Sequence, residues 1–242
     1  MQERMNYEFS QQQSRVLVIN AFMKGVYRWM GLGLAVTAVV AGFALNYLKA
    51  MSAVELQQFM GTYGMLFMIL LIAEIGLVVV LSAAIQKMSA STATAVFMGY
   101  CALSGLTLSV VLYGYAAGSI LSAFIATTAM FGALSVYGMF TSKDLTSWGP
   151  ILFAALIGLV VAMIINMFLG SPAFDYLISI IGVVIFAGLT AYDSQKLRQM
   201  GEMTPANDAA AVRRGTIMGA LTLYLDFINL FLRLLQIFGK KR

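Results

Sequence analysis

Histidine is absent from the 242 residues. That excludes histidine metal sites, serine–histidine or cysteine–histidine catalysis, and a histidine pH switch. The one cysteine, Cys101, forms no internal disulfide and says nothing of redox compartment. Set beside Gly99, Ala102 and Ser104, it reads as a small buried residue. Charge is scarce as well: 10% of residues are Asp, Glu, Lys or Arg, where an ordinary soluble domain carries about 25%. What is there instead is apolar, 61% of the chain, with a mean hydropathy of +0.88. A soluble fold of this length has no interior large enough to hide that surface. The expected class is therefore an all-α integral membrane protein. The excess of Lys and Arg over Asp and Glu, 15 against 10, then reports topology and contact with anionic headgroups rather than nucleic acid.

The first twenty residues, MQERMNYEFSQQQSRVLVIN, are polar and charged where a secretory signal would be apolar. They read as a short polar cytoplasmic tail on a single transmembrane domain spanning 1–242. A crossing helix needs about 20 mainly apolar residues, and charges and turn residues cut the chain into seven candidates. These run from about Trp29 to Tyr47, Tyr63 to Ile85, two spans on either side of the turn-prone Tyr113–Ser119, Gly149 to Leu169, Phe174 to Leu197, and Thr216 to Phe238. With the amino terminus inside, Arg4, Arg15, Lys24, Arg28, Lys87, Lys143, Lys196, Arg198, Arg213 and Arg214 all collect in the cytoplasm. Lys240, Lys241 and Arg242 resist this pattern unless the last helix is re-entrant. Small residues such as Ala154, Gly158, Gly182 and Gly188 suit close helix packing. No repeat links the two halves, which argues against an inverted-repeat transporter.

Four acidic or basic side chains lie four or more residues inside the ends of predicted spans: Glu74, Asp193, Asp226 and Arg233. Even on insertion scales an Asp or Arg at a helix centre costs about 2.5–3.5 kcal/mol, so such residues face inward. On the last helix Asp226, Asn229, Arg233 and Gln236 recur at spacings of three, four and three, which makes one polar stripe. A helix apolar on its other sides belongs in the middle of a bundle with that seam facing the interior. Asp226 and Arg233 lie about 10 Å apart along the axis, so mutual neutralisation would require both to stretch. Asp193 has two readings: an interfacial carboxylate met by Lys196 and Arg198, or a functional group. Glu74 has no partner among Ile72, Ala73, Ile75 and Gly76, so it must find one on another helix or stay protonated.

The segments Gly188–Leu197, reading GLTAYDSQKL, and Gly219–Leu232, reading GALTLYLDFINLFL, resemble the last two helices of the Bax inhibitor-1 (transmembrane Bax-inhibitor motif) family. The likeness extends through Ser104–Leu108 and Thr141–Leu145 and points to the bacterial inner-membrane branch. It implies a seven-transmembrane-helix bundle with the last helix central, and a pH-sensitive calcium leak. The aspartates that share a proton in the family fall on Asp193 and Asp226, which would also make transient Ca2+ contacts. Glu74, Asn229, Arg233 and Lys87 would form the supporting polar interior. A latch arginine on the second helix of a relative falls on Ile85 here, with Lys87 near enough to substitute. The expected partners are the lipid bilayer, Ca2+ as permeant ion and protons, with no cofactor and no nucleic acid. An alternative role for the family is interaction with a membrane protease of the FtsH kind, carried by the tail and the loop Gln195–Arg214. Enzymatic activity is not expected: neither Asp has a GxGD-like context.

One condition attaches to the aspartate pair. Counted from Arg198 and Arg214, Asp193 is five residues deep and Asp226 twelve, a difference of about 10 Å. The two can touch only if the seventh helix starts one or two turns before the hydrocarbon.

Overall fold

In the computed structural model the backbone is described at residues 2–204 and 208–241, and side chains at 17–85, 87–204 and 208–241. Every regular element among them is helical. The order is α1 (Gln2–Ala50), α2 (Ala53–Ala84), a 3-10 turn (Ile85–Lys87), α3 (Ala90–Tyr113), α4 (Ala117–Phe140), α5 (Trp148–Leu169), α6 (Pro172–Met203) and α7 (Ala209–Phe238). All seven α-helices are long and apolar enough to cross a membrane, α1 through its part from Leu17 to Ala50.

Local chemistry sets the boundaries. Ser52 and Glu55 form a capping box at the start of α2, each side chain bonding the other's backbone N–H. Gly170 ends α5 in the left-handed conformation, φ 61°, which glycine adopts without a Cβ penalty. Ser171 then caps α6 by accepting from the Phe174 N–H, and Pro172 takes the first helical position, where no N–H is needed. Asp208 caps α7 through the Ala211 N–H at 2.8 Å.

Three helices outrun their apolar spans. Residues 2–20, expected as a tail, continue α1, though the side chains of 1–16 lie outside the described set. The loop expected from Gln195 to Arg214 is mostly helix, α6 to Met203 and α7 from Ala209, and its Pro205–Asn207 lies outside the described residues. α7 thus begins about two turns before Thr216, the condition set for the aspartates to meet. It is also uninterrupted to Phe238, so the re-entrant last helix is not what forms. The segment after it pairs with the α3–α4 turn instead, Lys241 opposite Tyr115.

The chain folds as two compact units, Met1–Tyr113 with Gln199–Leu221, and Gly114–Arg198 with Thr222–Arg242. In the first, α1 and α3 approach at Gly105, where a Cβ would lie 2.7 Å from the Thr37 carbonyl oxygen. Thr37 Oγ1 donates to the Cys101 carbonyl at 2.9 Å and secures the same contact. In the second, Gly138 of α4 lies against the backbone of Ala191 of α6 so closely that no Cβ fits. Gln195 binds the α4–α5 loop to α6, its Oε1 accepting from the Leu145 N–H at 2.8 Å and its Nε2 donating to the Lys143 carbonyl at 2.8 Å. Phe131 and Phe124 meet Phe227 edge-on, with centroids 5.4 and 5.7 Å apart.

α7 is the most enclosed helix. In its apolar stretch 67% of residues are buried, against 6% for α2 and for α5.

Candidate functional site

The site is built on α6 and α7 within the second unit. Thr190 and Ser194 flank Asp193 and are fully buried. Thr190 Oγ1 returns its proton to the Phe186 carbonyl at 2.7 Å, and Ser194 meets Ser135 of α4 at 3.2 Å. Their hydroxyls are thus engaged elsewhere, and Asp193 itself is half-buried. Its carboxyl group lies near enough to that of Asp226 on α7 for the two to act on each other. Asp226 is 5% exposed, and its Oδ2 is buried with no hydrogen-bond partner. An ionised carboxylate is an acceptor only, so two carboxyl groups bond only while one of them carries a proton.

The reading of Asp193 as a surface carboxylate is only partly met. Lys196 lies within electrostatic reach, but its ammonium also sits over the Tyr192 ring, 5.7 Å from the centroid. Arg198 Nη1 donates to the Met139 carbonyl at 2.6 Å. Asp193 thus has both Lys196 and the Asp226 carboxyl group within reach.

The rest of the seam resolves residue by residue. Asn229 Nδ2 donates to the Leu225 carbonyl of its own helix at 2.8 Å. Arg233 is 7% exposed and does not fold back on Asp226. Its Nη1 donates to Gln236 Oε1 at 2.8 Å and its Nη2 to the Met163 sulfur of α5 at 2.7 Å, while its Nε has no partner. The stem passes Gly182 of α6, where a Cβ would lie 2.8 Å from Arg233 Cδ. Gln236 Oε1 also accepts from Ser179 of α6 at 2.8 Å. A buried guanidinium on a thioether and an amide oxygen is weakly matched, and the carboxylate of Asp175 is the acidic group whose charge reaches it.

Glu74 belongs to the first unit. It is half-buried on α2 and accepts a hydrogen bond from Thr107 Oγ1 of α3 at 2.5 Å. The partner on another helix exists, and it is a hydroxyl rather than a cation. Lys87 is exposed at the end of the 3-10 turn, and Ile85 before it is buried.

Sequence reasoning missed Thr107, Met163 and Ser179 as partners. A threonine, a methionine or a serine in an apolar helix gives no sign of the side chain it will meet. Gln195 gave some sign, as a polar residue amid α6, but pointed to the surface. Among the described residues no group of three or more His, Cys, Asp or Glu gathers. Two carboxyl groups fall short of the six to eight oxygens of a resident calcium site.

Seven apolar helices with an acidic pair between the last two define a multi-pass membrane protein with an ionisable interior. The family described as inhibitor of apoptosis-promoting Bax1 matches residues 19–242. The chain is 49% identical over 224 residues to the inner membrane protein YbhL of Escherichia coli strain K12, covering 93% of each chain. It is 44% identical over 227 residues to a protein of Deinococcus radiodurans, covering 93% of each, and 40% identical over 235 residues to one of Borreliella burgdorferi, covering 97% of this chain and 98% of the other. The chain belongs to the Bax inhibitor-1 family, as a seven-helix protein of the inner membrane.

Proposed function

We propose that the protein is a pH-sensitive, calcium-permeable leak of the inner membrane, gated by a proton shared between Asp193 and Asp226. The supporting observation is the nearness of the two carboxyl groups between α6 and α7, with one oxygen of Asp226 buried and unpartnered. While the proton is present, the pair holds the two helices together at the acidic end of the seam. When it leaves, two negative charges about 4 Å apart at an effective dielectric of about 20 repel by about 4 kcal/mol. That changes a closed-to-open ratio by about a thousandfold. The same two charges attract a divalent cation, so opening and ion entry have one cause. Calcium as the ion follows from the likeness to the family; the geometry asks only for a cation that prefers oxygen.

The protein needs no cofactor on this reading, and its partners are the bilayer, Ca2+ and protons. The amino terminus lies in the cytoplasm, where Lys24, Arg28, Lys143, Lys196 and Arg198 collect. Calcium flux into liposomes holding the purified protein, from about pH 5 to 8, tests the proposal. Flux rises with pH in the wild type, and Asp226→Asn moves the midpoint of that rise. A profile for Asp226→Asn superimposable on wild type contradicts it. No cation flux at any pH favours instead a regulator of a membrane protease.

A further inference from the structure

In the first unit, two close approaches fix the register of three helices around one arginine. Gly25 of α1 lies so near Thr216 of α7 that a Cβ would stand 2.8 Å from the threonine Cγ2. Trp29 is one turn beyond Gly25. Arg213 is one turn before Thr216, whose hydroxyl donates to the Arg213 carbonyl at 2.9 Å. Gly33, a further turn along α1, faces Phe97 of α3, where a Cβ would stand 2.8 Å from the ring. Thr94 precedes that phenylalanine by one turn.

The Arg213 guanidinium is held on two sides by what this register brings to it. Its carbon lies over the Trp29 ring, 5.3 Å from the centroid, a cation–π contact. Its Nε donates to Thr94 Oγ1 at 3.2 Å, and Thr94 donates in turn to the Ala90 carbonyl at 2.8 Å. Arg213 is nonetheless exposed, and neither of its terminal nitrogens bonds a described residue. Ser91, exposed and one turn before Thr94, brings a hydroxyl to the same face of α3. The site also sits at a defined depth. Trp29 opens the first apolar span, and the seventh opens three residues after Arg213, at Thr216. That is the headgroup level, where tryptophan is enriched.

We propose that Arg213, stacked on Trp29 and tied to Thr94, binds the phosphodiester of an anionic phospholipid. A guanidinium with its outer edge unbonded presents paired N–H groups to two phosphate oxygens. Trp29 and Thr94 hold it in place before the ligand arrives, so little side-chain freedom is lost on binding. A lysine there would keep the charge but lose the fork and the planar stack. The residue is exposed at the edge of the apolar surface, so the acyl chains of a lipid, not enclosure, keep the phosphate at the site. The site depends neither on the calcium leak nor on which side of the membrane the amino terminus lies.

Tryptophan fluorescence supplies the test. The chain has two tryptophans, so Trp148→Phe leaves Trp29 as the one reporter. That protein is placed in liposomes of equal parts phosphatidylglycerol and phosphatidylcholine, with one or the other carrying brominated acyl chains that quench tryptophan on contact. Brominated phosphatidylglycerol is expected to occupy the Trp29 site about fivefold more than brominated phosphatidylcholine. Arg213→Gln and Arg213→Lys bring that preference close to one, whereas Lys24→Gln, an exposed cation of α1 outside the contact, leaves it in place. Thermal melting confirms the fold of each variant, and Arg213→Lys decides should Arg213→Gln not fold. A preference absent at the outset overturns the proposal. So does one that survives Arg213→Lys or falls equally in Lys24→Gln, since diffuse surface charge would then explain it. A preference abolished by excess inorganic phosphate, but not by chloride at equal ionic strength, overturns the lipid in favour of a free anion.

Discussion

Glu74 and Asp226 are both carboxyl groups in the middle of apolar helices, and the two units of the chain treat them differently. Glu74 is half-buried and accepts from a threonine hydroxyl. Asp226 is buried near a second carboxyl group and keeps one oxygen unpartnered. A hydroxyl can serve a carboxylate as donor or a carboxylic acid as acceptor, so the Glu74 contact survives either protonation state. A second carboxyl cannot do this; its contact exists only with a proton between the two. The two carboxyl groups therefore differ in whether their contacts depend on a proton.

Substitutions at the two positions should differ most in the pH profile. Asp226→Asn is expected to move the midpoint of calcium flux by more than about one pH unit, equivalent to about 1.4 kcal/mol. Glu74→Gln should leave the midpoint where it is. Equal shifts at both sites, measured in liposomes across the same pH series, would break the distinction. Arg233→Gln comes next. It loses the bonds to Gln236 and Met163, and thermal or denaturant unfolding in detergent should show a loss of about 1–3 kcal/mol with a smaller change in pH profile than Asp226→Asn.

Stability should separate the two carboxyl groups again. Glu74→Gln is expected to cost less than about 1 kcal/mol, because its amide oxygen can still accept from Thr107. A loss of about 3–5 kcal/mol, the range for breaking a buried ion pair, would mean that Glu74 is charged and paired. The smallest effect concerns Asp144, an acid in neither helix interior. Its bonds from Thr146, including the N–H at 2.9 Å, hold its carboxyl below the usual aspartate range. A depressed value in the fold means stability that is present at neutral pH and lost as pH falls through that value. Asp144→Asn should therefore lower the melting temperature slightly at pH 7 and not at all near pH 2. The group is fully exposed, so the difference at pH 7 is expected to be close to the limit of detection.

Seven crossings were legible in the sequence because turn chemistry and charge mark the breaks. Tyr113–Ser119 and Gly170–Pro172 are where α3 and α5 end. The polar extensions of α1, α6 and α7 were not, since hydropathy counts only the part of a helix that faces hydrocarbon and a helix continues beyond it wherever its caps allow. On α7 the stripe from Asp226 to Gln236 followed from helical spacing within one element. Which side chain each member meets depends on the axial offset between helices, and local sequence does not encode that offset. The meeting of Asp193 and Asp226 thus appeared as a condition on where α7 begins, and Ala209 fulfils it. Arg233 shows the opposite case: its polar character was plain, but a methionine sulfur and a glutamine as its partners left no trace in the pattern.

The most direct measurement is a double-mutant cycle on the midpoint pH of calcium flux, with Asp193→Asn, Asp226→Asn and the two combined. If one proton is shared, either substitution removes the repulsion on which opening depends, and the second adds little to the first. The expected coupling is about 0.5–3 kcal/mol, read as a combined shift well short of the sum. Shifts that add within a few tenths of a kcal/mol would show two independent carboxyl groups and contradict the shared proton.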